Sequence, residues 1–60
     1  MKHIETKKGL KELLRRYEEA GADEYWLMTI RGCIEEDLAM DETDYENTPK
    51  ELRKLWRGLK

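Results

Sequence analysis

Apolar residues recur at helical spacing in the first third of the chain. Five of them are separated by three or four residues, which places them on one face of a helix: Leu10, Leu13, Leu14, Tyr17 and Ala20. The pattern predicts a helix over 7–20, and Gly21 can take the left-handed backbone conformation that ends helices. The short segment that follows predicts a tight turn with Asp23 as a candidate N-cap of the next helix.

The central segment, 24–40, is more apolar than a single helix face requires. One stripe fits Trp26, Ile30, Cys33, Ile34 and Leu38, while Tyr25, Leu27 and Met28 fall outside it. We expect a helix over 24–39 that lies at the centre of the core. The alternative is a strand over 25–31, which is rich in aromatic and branched residues, although no partner strand of similar strength is evident.

The last segment carries a helix-start signal. Thr48 at the cap, Pro49 at the first helical position and Glu51 at the third predict a capping box at the start of a helix over 49–59. Its apolar face would consist of Leu52, Leu55, Trp56 and Leu59. The acidic segment before it, 41–47, is predicted to be a loop.

These elements predict one all-α domain over 1–60, a three-helix domain with a tight first turn and a longer, nine-residue acidic loop. Residues 1–5 are expected to form a frayed lead-in from which Ile4 packs on the first helix. A chain of 60 residues buries only a small core, so further burial against a partner or a second copy would stabilise it.

Charge is segregated along the chain although the net charge is only −2. Residues 1–16 carry +4, residues 17–49 carry −10 and residues 50–60 carry +4. Two interpretations remain open. Either the basic ends fold against the acidic middle and neutralise it, or one of these surfaces is available to a charged partner.

The residue combinations typical of common catalytic and metal sites are absent from the sequence. There is no serine, and His3 and Cys33 are the only residues of their types, so a Ser-His-Asp triad cannot form. Cys33 is expected to pack as a small hydrophobe. The acidic loop lacks the glycine that a calcium loop requires, and no glycine-rich phosphate loop exists. We expect no enzymatic activity, no cofactor and no metal.

The cellular location is predicted from cysteine content and hydropathy. A single cysteine cannot form an internal disulfide, which fits a reducing compartment. The sequence has neither a signal-peptide pattern nor a window that approaches a membrane span. We therefore expect a cytoplasmic protein with no membrane partner.

The surplus apolar surface and the acidic tract predict a small interaction protein, an inhibitor or adaptor that binds a larger protein of unknown identity. Its candidate apolar contacts are Tyr25, Leu27 and Met28, and its candidate acidic contacts are Glu36, Asp41, Glu42, Asp44 and Tyr45. A dimer through the central helix is compatible with the same surplus.

Two alternatives remain. The first is a nucleic-acid-binding regulator that uses the basic face of the third helix with help from the first, through Lys50, Arg53, Lys54, Arg57, Lys7, Lys8 and Lys11. A helix-turn-helix is disfavoured, because the second helix would present Glu24 to phosphate. The second alternative is a structural subunit of a homo-oligomer.

Overall fold

The computed structural model describes residues 3–60 and confirms the all-α prediction. The helices are α1 (Lys7–Glu19), α2 (Glu24–Glu35), α3 (Glu42–Asn47) and α4 (Lys50–Arg53), and α4 continues directly into a 3₁₀ turn, Lys54–Trp56. Helix α1 packs against α2 on one side and against the 3₁₀ turn on the other. The strand considered for 25–31 is absent, because that whole range is helical.

Local hydrogen bonds set the ends of α1. The Thr6 hydroxyl oxygen accepts from the backbone N–H of Gly9 at 3.0 Å, which satisfies one of the free donors of the first turn. At the other end Gly21 has a φ of 73°, and the N–H of Ala22 donates to the carbonyl of Tyr17 at 3.0 Å. This pair of features is the Schellman ending that the sequence predicts at Gly21.

Helix α2 ends at Glu35, earlier than the predicted residue 39. Asp37 takes the left-handed conformation with a φ of 56°, and the N–H of Leu38 donates to the carbonyl of Cys33 at 2.9 Å. Aspartate tolerates this conformation better than most residues other than glycine, so it can terminate a helix in the same way. Asp23 is the N-cap residue of α2, although its side chain makes no capping hydrogen bond.

The prediction of a loop at 41–47 is wrong in its local structure, because six of these residues form α3. The Asp41 side chain accepts from the N–H of Asp44 at 3.2 Å, and the Asp44 side chain accepts from the N–H of Asp41 at 3.0 Å. This reciprocal pair is a capping box built from two aspartates, and it satisfies two donors that would otherwise be free.

The capping box predicted at Thr48 is also wrong, although a helix does begin just after it. The Thr48 hydroxyl donates to the Asp44 carbonyl at 2.9 Å, and Pro49 is the residue at the N-cap of α4. Because α3 ends immediately before Thr48, that side chain is needed to complete the preceding helix and is unavailable to the following one.

The lead-in is more ordered than predicted in its described part. Ile4 is buried and forms an antiparallel bridge with Met40, with N–H to carbonyl distances of 2.9 and 3.0 Å. The N–H groups of Glu5 and Thr6 donate to the backbone oxygen of Lys60 at 2.7 and 2.9 Å. Residues 1 and 2, the rest of the predicted lead-in, lie outside the described residues.

The core is centred on α1, which corrects the expectation that the central segment would occupy that place. Helix α1 contributes three buried large side chains, Leu10, Leu13 and Tyr17, whereas Ile30 is the buried residue of α2. The remaining buried apolar side chains come from the flanking segments: Ile4, Met40, Leu52 and Trp56. Helix α1 packs against both α2 and the 3₁₀ turn, whereas the side of α2 that carries Tyr25 and Met28 is exposed.

Two helical glycines lie in opposite environments. A Cβ atom at Gly9 would lie 2.9 Å from Cγ2 of the buried Ile4 and 3.0 Å from the backbone carbon of Lys60. A Cβ atom at Gly32 would meet no atom within 4 Å. Gly9 is therefore required by the packing of the chain ends on α1, whereas the Cβ position of Gly32 faces open space as far as residues 3–60 are concerned.

Alanine substitutions should distinguish these two glycines. Alanine is favoured over glycine in a helix by about 1 kcal/mol, so Gly32→Ala should raise the free energy of unfolding by about that amount. Gly9→Ala should instead lower it by roughly 1 kcal/mol, because overpacking outweighs the gain in helix propensity. Urea denaturation of both variants provides the measurement, and a Gly9→Ala protein as stable as wild type would contradict the packing described here.

Candidate protein-interaction surface

The side of α2 opposite the core carries two large, exposed apolar residues. Tyr25 is 68% exposed and Met28 is 63% exposed. Successive residues of a helix are rotated by about 100°, so Tyr25, Met28 and Gly32 share one side while Ile30 points to the other. Tyr25, Met28 and Gly32 together are called the outer face of α2 below.

Leu27 does not belong to this face, which corrects its grouping with Tyr25 and Met28. It is half-buried and packs against the core cluster. The cause is helical rotation, because a residue two positions after Tyr25 points about 160° away from it. The predicted apolar patch therefore consists of two large side chains.

The Tyr25 ring is held by its neighbours. It meets the Trp26 ring edge to face, with centroids 5.1 Å apart, and Trp26 itself packs against the core. Edge-to-face contacts of this kind are favourable beyond the area that they bury. An exposed aromatic ring on a rigid helix is thereby presented in a defined orientation.

Acidic residues flank the outer face of α2. Arg31 pairs with Glu24 at 3.1 Å and with Glu18 at 3.3 Å, which links α2 to α1. Glu35 and Glu36, at the end of α2, are exposed and form no ion pair among residues 3–60. The outer face thus combines apolar side chains with unpaired negative charge.

The predicted acidic contacts do not form one surface. Asp41 and Asp44 cap α3, and Tyr45 packs edge to face on Trp56 with ring centroids 5.2 Å apart. Glu36 and Glu42 remain exposed. Three of the five predicted residues therefore have structural roles in the fold.

The predicted basic contacts of the carboxyl-terminal segment also divide into one residue with a structural role and three exposed residues. Nε of Arg53 donates to the Thr48 carbonyl at 2.9 Å, and its NH2 group donates to the Glu46 carbonyl at 2.7 Å. The same guanidinium lies 5.5 Å from the centroid of the Tyr45 ring. Arg53 therefore closes the carboxyl end of α3, while the other three basic residues of this segment are exposed: Lys50, Lys54 and Arg57.

A groove of about 900 Å³ lies between α1 and the carboxyl-terminal segment. Its lining includes the lysines of the first helix and the last three residues of the chain, among them Lys8, Lys11, Gly58, Leu59 and Lys60. We call it the basic groove. Periodicity along the sequence could not reveal it, because its two walls are almost 50 positions apart and meet only in the folded chain.

Glu12, which also lines the basic groove, is held in its charged form by two arginines. Hydrogen bonds from Arg15, and then those from Arg16, lower the pKa of the Glu12 carboxyl from 4.5 to about 2. Arg15 also pairs with Glu19 at 2.7 Å. The arginine charges on this wall are therefore compensated within α1, whereas Lys8 and Lys11 form no ion pair among residues 3–60.

Cys33 is half-buried and packs against the core cluster. Burial first, and then the charges of Asp44 and Glu36, raises the pKa of its thiol. A raised pKa lowers the fraction of nucleophilic thiolate, in line with a packing role. His3 lies 3.4 Å from the carboxylate of Glu5. Within residues 3–60 no three metal-ligating side chains of the histidine, cysteine and carboxylate types come together.

None of the helices formed by residues 3–60 has the length and apolar character needed to cross a membrane. Comparison of the chain with protein-family models, with curated proteins and with solved structures gives no match. What the protein does is therefore inferred from its own residues and their arrangement.

The Glu12 cluster predicts a specific acid dependence of stability. Because its pKa is lower in the folded chain, Glu12 contributes stability that is present above pH 4.5 and is lost as the pH falls toward about 2. The Glu12→Gln variant should lose less stability over this window than wild type, as measured by urea denaturation at each pH.

The matched control is Glu51→Gln, which removes a carboxylate that forms no ion pair among residues 3–60. Its acid dependence should follow that of wild type. If Glu12→Gln and wild type lost stability in parallel between pH 4.5 and about 2, the arginine cluster would not stabilise the fold.

Proposed function

We propose that the protein is a small, non-enzymatic interaction module of the cytoplasm, an inhibitor or adaptor that binds a larger protein through the outer face of α2. The observation that carries this proposal is the combination of exposed Tyr25 and Met28 with Gly32, above which there is open space. Single exposed apolar side chains are ordinary on protein surfaces. Two of them beside an open helical glycine call for an explanation.

The energetics of Gly32 support an intermolecular role. A glycine inside a helix costs about 1 kcal/mol relative to alanine, and a close contact with another element can offset this cost. No atom of the described chain provides that contact, since a Cβ at Gly32 would have no neighbour within 4 Å. A partner that lies close to the outer face of α2 one turn beyond Met28 would provide it.

The two side chains beside Gly32 suit an interface. Tyrosine combines a large apolar ring with a polar tip, and methionine adapts its shape to irregular surfaces. The Tyr25 ring is already oriented by Trp26 at a centroid distance of 5.1 Å, so binding would cost little side-chain entropy there. Glu35 and Glu36 add negative charge at one end and favour a partner with a basic rim.

The nucleic-acid alternative has less support. Phosphate binding needs several free cationic side chains on one surface. Of the four basic residues predicted on the carboxyl-terminal segment, Arg53 is engaged by the Thr48 and Glu46 carbonyls, and the lining of the basic groove offers no aromatic residue on which a base could stack. The homo-oligomer alternative gains support from the opposite charges of the lysines on the basic groove and of Glu35 and Glu36 at the end of α2.

The proposal predicts that one charged substitution on the outer face will abolish partner binding. Met28→Glu should leave the free energy of unfolding within about 0.5 kcal/mol of wild type, because the side chain is exposed. Immobilised wild type and Met28→Glu, incubated with the same cell extract, should differ in the proteins that they retain. Those bound through α2 should be lost from the variant.

The matched control is Leu38→Glu, which places the same charge at another exposed apolar residue, one that is 53% exposed and lies outside α2. It should retain what wild type retains. Nuclease treatment and a salt series test the alternative, since binding through phosphates weakens steeply with salt. Equal retention by wild type and Met28→Glu, or retention abolished by nuclease, would contradict the proposed function.

A further inference from the structure

Three lysines of the basic groove and two glutamates beside the outer face of α2 carry opposite charges that form no ion pair within the described part of the folded chain. Lys8, Lys11 and Lys60 on the groove are exposed, as are Glu35 and Glu36 at the end of α2. None of these five side chains forms an ion pair among residues 3–60. The two surfaces are therefore electrostatically complementary.

The described part of the folded chain neutralises its segregated charge only in part by direct contact, since Arg15 pairs with Glu19 within α1 and Lys7 of the groove pairs with Asp37. Among residues 3–60, Lys7–Asp37 at 3.0 Å is the ion pair that joins a basic end to the acidic middle between different elements. Arg16 donates instead to the carbonyls of Leu55 and Arg57, at 2.7 and 3.0 Å. Arg53 likewise binds backbone carbonyls. Segregated charge of this kind favours contacts between molecules.

The surface chemistry of the groove also matches the outer face of α2. Leu59 and Gly58 contribute apolar surface, and lysines stand along the edge. The outer face of α2 presents Tyr25 and Met28 with carboxylates beside them. The groove lining contains no aromatic residue on which a nucleic-acid base could stack, which favours a polypeptide as its occupant.

We propose that the outer face of α2 of one molecule docks in the basic groove of a second copy. The inference rests on the proposed function to the extent that it assigns a partner to the same face of α2. The two surfaces share no residue, so the contact is head to tail, and a pair of molecules keeps one free groove and one free α2 face for further copies. The products are short open chains or a closed ring.

Charge reversal tests this pairing directly. The groove variant is Lys8→Glu with Lys11→Glu, and the α2 variant is Glu35→Lys with Glu36→Lys. Both pairs of substitutions are favourable with respect to the helix dipole, because they place acidic residues in the first turns of α1 and basic residues at the end of α2. The combined variant carries all four changes and restores opposite charges on the two surfaces.

Sedimentation over a wide range of protein concentration at low salt is the measurement. Wild type should associate as its concentration rises, and it should lose association as salt is added. The groove variant and the α2 variant should each remain monomeric. The combined variant should associate again, as should an equimolar mixture of the two single-surface variants.

The matched control is Lys50→Glu with Lys54→Glu, which makes the same change in net charge on exposed residues outside both surfaces. It should associate as wild type does, and circular dichroism of every variant verifies folding. Four reversals that merely damaged the fold would not restore association, so recovery in the combined variant is specific to the pairing.

Three results would overturn the inference: monomeric wild type at every concentration, a groove variant that associates as wild type does, or a combined variant that stays monomeric. The second result would indicate a symmetric dimer through α2 alone. A monomeric wild type would leave the proposed function standing, because the binding of another protein is tested separately by Met28→Glu. If wild type and Met28→Glu retained the same proteins, the proposed function would be contradicted, and sedimentation would still decide whether the protein associates with itself.

Discussion

A buried hydrogen bond between two side chains joins α1 to the carboxyl-terminal segment of this small domain. Nε1 of Trp56 donates to the hydroxyl oxygen of Tyr17 at 2.9 Å, and both residues are buried. A buried polar group without a partner costs about 1–3 kcal/mol, a large share of the stability of a 60-residue domain. Arg16, the preceding residue, binds the carbonyls of Leu55 and Arg57. Two consecutive residues of α1 therefore fix the carboxyl-terminal segment on that helix.

This attachment determines which part of the core is left for α2 to cover. Helix α1 is covered by the 3₁₀ turn on one side and by α2 on the other, with Ile4 and Lys60 packed over Gly9. Helix α2 contributes the buried Ile30 to the core, and its half-buried apolar side chains pack around the same cluster. Tyr25 and Met28 remain exposed. The outer face of α2 is therefore accessible to another molecule. The unpaired lysines of the basic groove, Lys8, Lys11 and Lys60, are opposite in charge to Glu35 and Glu36 beside that face, which is why we propose a second copy as its partner.

Periodicity and turn chemistry predicted the all-α fold, α1, the first turn and the start of α2, because these depend on neighbours along the chain. The predictions that failed depend on contacts between distant segments or on competition between adjacent helices. Ile4 is held in place by its bridge to Met40. The Thr48 hydroxyl donates to a carbonyl at the end of α3 and therefore does not cap α4. The surplus of apolar residues left open whether Tyr25 and Met28 are covered by other helices or exposed, and the folded chain shows them exposed. The basic groove could not be predicted, because Lys8 and Lys60 come together only in the folded chain.

The two tryptophans allow one measurement of the central claim, that the Tyr17–Trp56 contact closes the core. The indole N–H of Trp56 is buried and hydrogen-bonded, whereas Trp26 is only partly buried. Hydrogen exchange of both groups can be followed by nuclear magnetic resonance. Trp56 should exchange only through global unfolding, with the same free energy that urea denaturation gives, and Trp26 should exchange faster. Equal and rapid exchange at both tryptophans would contradict the account.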